Sequence, residues 1–356
     1  MKPTRAIAGL IGLTLGVTMV PALTTQTAAA VDSCRLPGGV LAVSDLAGRS
    51  AVACGAVGRL VDTGDGVPLR IPAPGNGVVL GLSYPDGART YTLTTDPHGS
   101  VAVDIQEQLA GHQPAGAGRG THAQEEFPDL PGPAACERDT FVLAGFKWNR
   151  PWLFRTTVGT TLVTDDQRDF DAAARRSVRN FTRGYNDCGL RGGIRAAGAF
   201  VGHTTTHGNF LTVNDQTTCA APDSENVLDV GDLPGGFLEA ALAAFCVWTE
   251  AGQGFDRAVA ADLRFNNVDY NWTFDPNNDP LCDRAFPPDP QRWRYDVESV
   301  ITHELGHVYG LVNLSSIDDA NLTMFPGVSR CTGHFRTLGL GDVLGLRALY
   351  GAPPRR

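Results

Sequence analysis

The sequence predicts an α+β fold in which a small β-sandwich-like module precedes a larger mixed domain. Three observations predict it. Residues 31–105 contain short β-rich runs separated by turn residues, with no long helical pattern. From residue 136 onward, strand-like runs flank one long amphipathic pattern at 169–185. Near the C-terminus the apolar period becomes helical again, around 297–308.

The first 30 residues are set aside before any fold reasoning. Lys2 and Arg5 precede an apolar run from Ala6 to Val20, and Ala28-Ala29-Ala30 supplies the small residues a signal peptidase requires. The run is too short to span a bilayer, so the expectation is a secreted protein beginning near Val31 and free of a membrane anchor. In the 31–105 module the predicted strands are Leu69–Ile71, Gly77–Ser83, Thr90–Thr94 and Val101–Ile105. Pro85-Asp86-Gly87 and Asp96-Pro97-His98-Gly99 are the turns between them. Residues 106–135 are rich in Gly, Pro and Ala without an apolar period, which reads as a flexible linker.

The domain predicted at 136–352 opens with strand-like runs Phe141–Trp148 and Leu153–Val158. A helix follows over Asp169–Tyr185, closed by Gly184 and Gly189. Further strands are predicted at Ala199–Val201, Ala244–Thr249 and Ala261–Asn266. His203 and His207 stand four apart, but the threonines and glycines around them favour strand or loop, where that spacing does not put two rings on one face. They are expected to face solvent, as are His98, His112 and His122.

Hydrophobic residues make up 42% of the chain and charged residues 19%, a balance that builds a core and excludes a disordered chain. The formal charge of −9, or −11 without Lys2 and Arg5, leaves no basic patch for nucleic acid or an anionic membrane. All 8 cysteines lie beyond residue 30, and an even number in an exported protein argues for disulfides. Cys34–Cys54 and Cys282–Cys331 are the expected pairs. Cys136, Cys188, Cys219 and Cys246 are left with their pairing open.

The chemistry concentrates in His303-Glu304-Leu305-Gly306-His307. Val297, Val300, Ile301, Leu305 and Val308 recur at helical spacing around it. On a helix, residues four apart lie one turn above each other, so two imidazoles can share one tetrahedral Zn²⁺ while Glu304 borders its open position. Such a site hydrolyses peptides: zinc activates water and the glutamate shuttles its proton. Gly310 stands where the helix should stop and the chain turn sharply, a bend that lets a third ligand come back to the metal.

These motifs, in this order, resemble the matrixin branch of the metzincin metalloproteases, in the form of small secreted bacterial members. The resemblance covers about residues 140–351: the helix from Tyr295 to Leu311, Asn321-Leu-Thr-Met-Phe-Pro-Gly327 as a Met-turn, and Leu338–Gly351 as a closing helix. It implies a twisted, mostly parallel sheet with long helices. It also implies one catalytic zinc on His303 and His307, Glu304 as general base, Met324 beneath the metal, and Phe325 and Pro326 shaping a substrate pocket. The family's third histidine corresponds to Asn313, with Asp319, Asp318 and His334 as alternative third ligands. No calcium site is legible. The Pro-Arg-Cys-Gly segment that keeps many matrixins latent is absent. A monomeric secreted zinc endopeptidase acting on proteins or peptides is the expectation. The alternative is a catalytically impaired relative that binds peptide or protein in its cleft.

Overall fold

A computed structural model describes residues 34–109, 134–159, 162, 167–235, 240–282, 294–328 and 330–352. The signal-peptide expectation, most of the linker, His112 and His122 lie outside these residues. Among them are three α-helices, α1 (Gln167–Arg183), α2 (Val297–Val308) and α3 (Leu340–Tyr350), amid a majority of strand, an α+β architecture. In chain order the strands are β1 (Leu41–Ala42), β2 (Leu60–Asp62), β3 (Pro68–Arg70), β4 (Asn76–Tyr84), β5 (Gly87–Thr95), β6 (Val101–Leu109), β7 (Phe146–Lys147) and β8 (Trp152–Thr157). They continue as β9 (Gly198–Thr204), β10 (Phe210–Val213), β11 (Gln216–Cys219), β12 (Val227–Val230), β13 (Ala243–Glu250), β14 (Asp256–Phe265), β15 (Asn271–Thr273) and β16 (Arg294–Asp296).

One nine-stranded sheet organises the chain, in the order β6-β5-β4-β13-β14-β12-β8-β9 with β7 on β14. Its two halves differ. From β14 through β12 and β8 to β9 every pairing is parallel, while β13 pairs antiparallel with β14 on one side and with β4 on the other. The β4-β5-β6 meander is antiparallel as well. The expected mostly parallel sheet is therefore only half of the sheet, and the expected separate sandwich at 31–105 does not form. The described residues from Arg35 onward pack as one compact unit, because β4 extends the sheet of the larger domain along all of β13.

Alternation along the strands divides the core between the two faces, as a period of two requires. On β13, Ala243, Phe245 and Val247 point into a core shared with the helices. Ala244, Cys246 and Trp248 point into a second core with Leu41, Val61, Leu69 and Ile71 from the N-terminal strands. Both cores therefore depend on the same strand.

Phe141–Trp148 proves to be strand only at Phe146–Lys147. Val142 and Leu143 instead meet the chain after α2, through Val312 N–H donating to Val142 O and a bridge between Leu143 and Leu311. The other predicted strands and helices form. Cys282 is bonded to Cys331 as expected, Cys136 to Cys188 and Cys219 to Cys246; Cys34 and Cys54 are disulfide-bonded too. No helix among the described residues is long and apolar enough to cross a membrane.

Candidate metal centre

Helix α2 is buried on every side, so its polar residues cannot rely on water. Its start is fixed by Asp296, whose carboxylate accepts from the Ser299 N–H at 2.9 Å and is gripped by Arg336 at 2.8 Å. A side-chain cap of this kind contributes about 1 kcal/mol. Helix α1 holds one flank through Thr302 Oγ1, which donates to Ser177 Oγ at 2.9 Å, and Arg176, paired with Glu298 at 2.7 Å. At the far end Gly310 takes φ +92°, a left-handed conformation, with the Phe146 carbonyl against its α-carbon. The helix stops there and the chain turns back, as the sequence predicted.

His303, Glu304 and His307 are 0%, 0% and 3% exposed, and Asn313, returned by the turn at Gly310, is also 3% exposed. The two imidazole centroids are 5.0 Å apart with their planes nearly perpendicular. His303 Nδ1–H donates to Thr323 O at 2.7 Å, and His307 Nδ1–H to Leu311 O at 3.0 Å. With Nδ1 carrying the proton, each Nε2 presents a lone pair. Burial pushes both imidazoles down, to about 4 and about 3, so both are neutral at neutral pH. The same burial pushes the Glu304 carboxyl up to about 8, against a smaller opposing effect of the Ser83 hydroxyl.

By strict hydrogen-bond geometry six polar atoms of these four residues find no partner among the described residues: Nε2 of His303 and of His307, both carboxyl oxygens of Glu304, and Oδ1 and Nδ2 of Asn313, although the Asn313 amide lies close enough to act on both imidazoles. An unpaired buried polar group costs about 1–3 kcal/mol, so a cluster of six calls for an explanation. No curated protein and no family model matches the chain. The donor set must explain itself. Two imidazole lone pairs and an amide oxygen beside a carboxylate suit a borderline cation such as Zn²⁺, and Nδ1–H bonds to carbonyls are how ligating histidines are held. Among the described residues no group of three or more His, Cys, Asp or Glu is placed to hold a metal.

The alternative ligands are engaged elsewhere. Asp319 pairs with Arg138 at 2.9 Å, Asp318 is exposed, and His334 is exposed beside Phe335. His203 and His207 take separate carboxylates, Asp171 at 2.7 Å and Asp229 at 3.2 Å, and remain largely solvent-facing. Met324 lies directly against α2, where a Cβ on Gly306 would collide with its sulfur. Pro326 is buried, and Phe325 packs with Ala320 and Phe335 in a small separate cluster.

Sequence reasoning missed the residues that hold this arrangement. Asp342, at the start of α3, accepts N–H bonds from Thr323 at 2.9 Å, Met324 at 3.3 Å and Gly339 at 2.8 Å. It thereby fixes the carbonyl that orients His303. Phe245 stacks on His307 at 4.5 Å between centroids. Of these only Gly306 carried a signal, since a glycine inside a helix costs about 1 kcal/mol against alanine and needs a packing reason.

Proposed function

We propose that the chain is a secreted zinc-dependent endopeptidase of the matrixin-like metzincin kind, acting on protein or peptide substrates as a monomer. The observation that carries the reading is the convergence of six unpartnered buried polar atoms from His303, Glu304, His307 and Asn313. His303, His307 and Asn313 would hold the metal, with Met324 packed against the helix that carries the two histidines. When bound, zinc supplies Lewis acidity to a water and to a scissile carbonyl. Glu304 is the only acid in the cluster, so it takes the proton of the attacking water and returns it to the leaving amine. In the metal-free chain burial holds that carboxyl protonated near neutral pH, and a bound cation would favour the carboxylate form that the transfer needs.

Two observations favour the second reading, a non-catalytic relative that binds a peptide or protein. An amide is a weaker zinc donor than a third imidazole, and the site is closed to solvent. Metal analysis and a casein-cleavage assay separate the two. The peptidase reading expects one zinc per chain, cleavage by the wild-type protein, and zinc retention without cleavage in Glu304→Gln. Purified protein that takes up no zinc, or a Glu304→Gln variant that cleaves at the wild-type rate, refutes it.

A further inference from the structure

The β4–β5 hairpin borders the candidate metal centre. Strand β13 runs beside the metal centre, and its Phe245 ring stacks on His307. Without β4, the outer edge of β13 would offer unpaired N–H and C=O groups, the template that captures extended polypeptides. Strand β4 covers that edge in eight consecutive antiparallel pairs, from Asn76–Glu250 to Ser83–Ala243. Gly81 faces Phe245 with no room for a Cβ, so the ring reaches His307 only because that residue is glycine. The turn beyond β4 then crosses to the other wall. Val328 N–H donates to Pro85 O at 3.2 Å, and Asp86 bridges Gly327, three residues past Met324.

Ser83, the last core-facing residue before that turn, is 1% exposed and its hydroxyl has no hydrogen-bond partner among the described residues. It is nevertheless close enough to Glu304 to act on that carboxyl. The hairpin thus touches both walls of the centre and brings a side chain to the general base. Glu304 has no exposure at all.

We propose that the β4–β5 hairpin occupies the place of an extended substrate, so that the intact chain is a closed form whose centre opens to peptides only when the hairpin leaves the β13 edge. The proposal rests on the metallopeptidase reading above. It needs no cysteine ligand, in keeping with the lack of a Pro-Arg-Cys-Gly segment.

Ser83→Cys in the full chain, loaded with Co²⁺, tests the placement without relying on activity. A thiol at this position should become a thiolate ligand and give a sulfur-to-cobalt charge-transfer band, which the wild-type protein cannot show. Gly81→Val tests the closure. The added side chain overlaps the Phe245 ring, which should loosen β4 and raise hydrolysis of a short fluorogenic peptide by about tenfold or more, a barrier change of about one decade. Cobalt bound without the thiolate band overturns the proposal even if Gly81→Val does not fold. So does a folded Gly81→Val protein that cleaves no faster than wild type. Failure of both the wild-type protein and Ser83→Cys to bind cobalt removes the metal reading, and the proposal with it.

Discussion

Asn313→Leu should change the stability of this protein in opposite directions with and without zinc. Leucine has the same four-atom branched side chain as asparagine but no polar atoms, so it fills the same space. In the metal-free chain Asn313 is 3% exposed and both of its amide atoms lack partners. Relief of even one such penalty is worth about 1–3 kcal/mol, so the metal-free variant should be more stable than wild type by about that amount. With zinc the order should reverse. Loss of a ligand worth at least about 1.4 kcal/mol weakens zinc binding tenfold or more, and the stabilisation by bound zinc falls with it. Urea denaturation with chelator and with saturating zinc reads both stabilities, and a competing chelator reads the affinity. A metal-free variant less stable than wild type would mean that the amide is satisfied in solution. An unchanged zinc affinity would mean that Asn313 is not a ligand.

The pH dependence follows from burial of Glu304, whose folded pKa of about 8 exceeds the ordinary 4.5. The folded metal-free chain keeps a proton that the unfolded chain releases, so this stability is complete below about pH 4.5 and is lost as pH rises toward 8 at up to ~1.4 kcal/mol per unit. Glu304→Gln should remove that slope in metal-free thermal melts, and identical slopes would refute it. Gly306→Ala should destabilise the protein by about 1–3 kcal/mol despite alanine's better helix propensity, because the new Cβ meets the Met324 sulfur. Met324→Ala in the same chain should recover part of the loss; an additive double mutant would show that the two residues do not press on each other. Asp342→Ala leaves the Thr323, Met324 and Gly339 N–H groups without their acceptor and should cost about 3 kcal/mol or more in urea denaturation, with weaker zinc binding through His303. Full zinc affinity in a folded Asp342→Ala protein would disconnect α3 from the centre.

Local patterns were legible in the sequence and long-range pairing was not. The runs at 77–83, 90–94 and 101–105 are rich in strand-forming residues and become β4, β5 and β6, and the Pro85-Asp86-Gly87 turn between the first two forms where predicted. Nothing in those residues says that β4 pairs with β13, more than 150 positions later. Strand edges are chemically alike, and the residues that decide the match, such as Gly81 opposite Phe245, act only once the strands meet. Treating the glycine- and proline-rich stretch at 106–135 as a boundary therefore divided a chain that packs around one sheet. Short elements such as β10, β11 and β12 escaped for a related reason: at four residues each, tertiary pairing outweighs propensity.

The same distinction runs through the centre. The placement of His303, Glu304 and His307 on one buried helix was legible because the pattern sets particular side chains at a helical spacing amid apolar residues. What makes the two imidazoles usable is a pair of main-chain carbonyls, Thr323 O and Leu311 O, and a carbonyl can come from any residue. Their positions depend on two remote choices, a left-handed Gly310 that returns Leu311 toward the helix and a buried Asp342 that holds Thr323 from α3. Each choice sets one histidine's tautomer, and so which nitrogen keeps a lone pair. Asn313 follows from the first of them. The turn at Gly310 that places the Leu311 carbonyl against His307 also carries residue 313 to a buried position, where its amide lies close enough to act on both imidazoles.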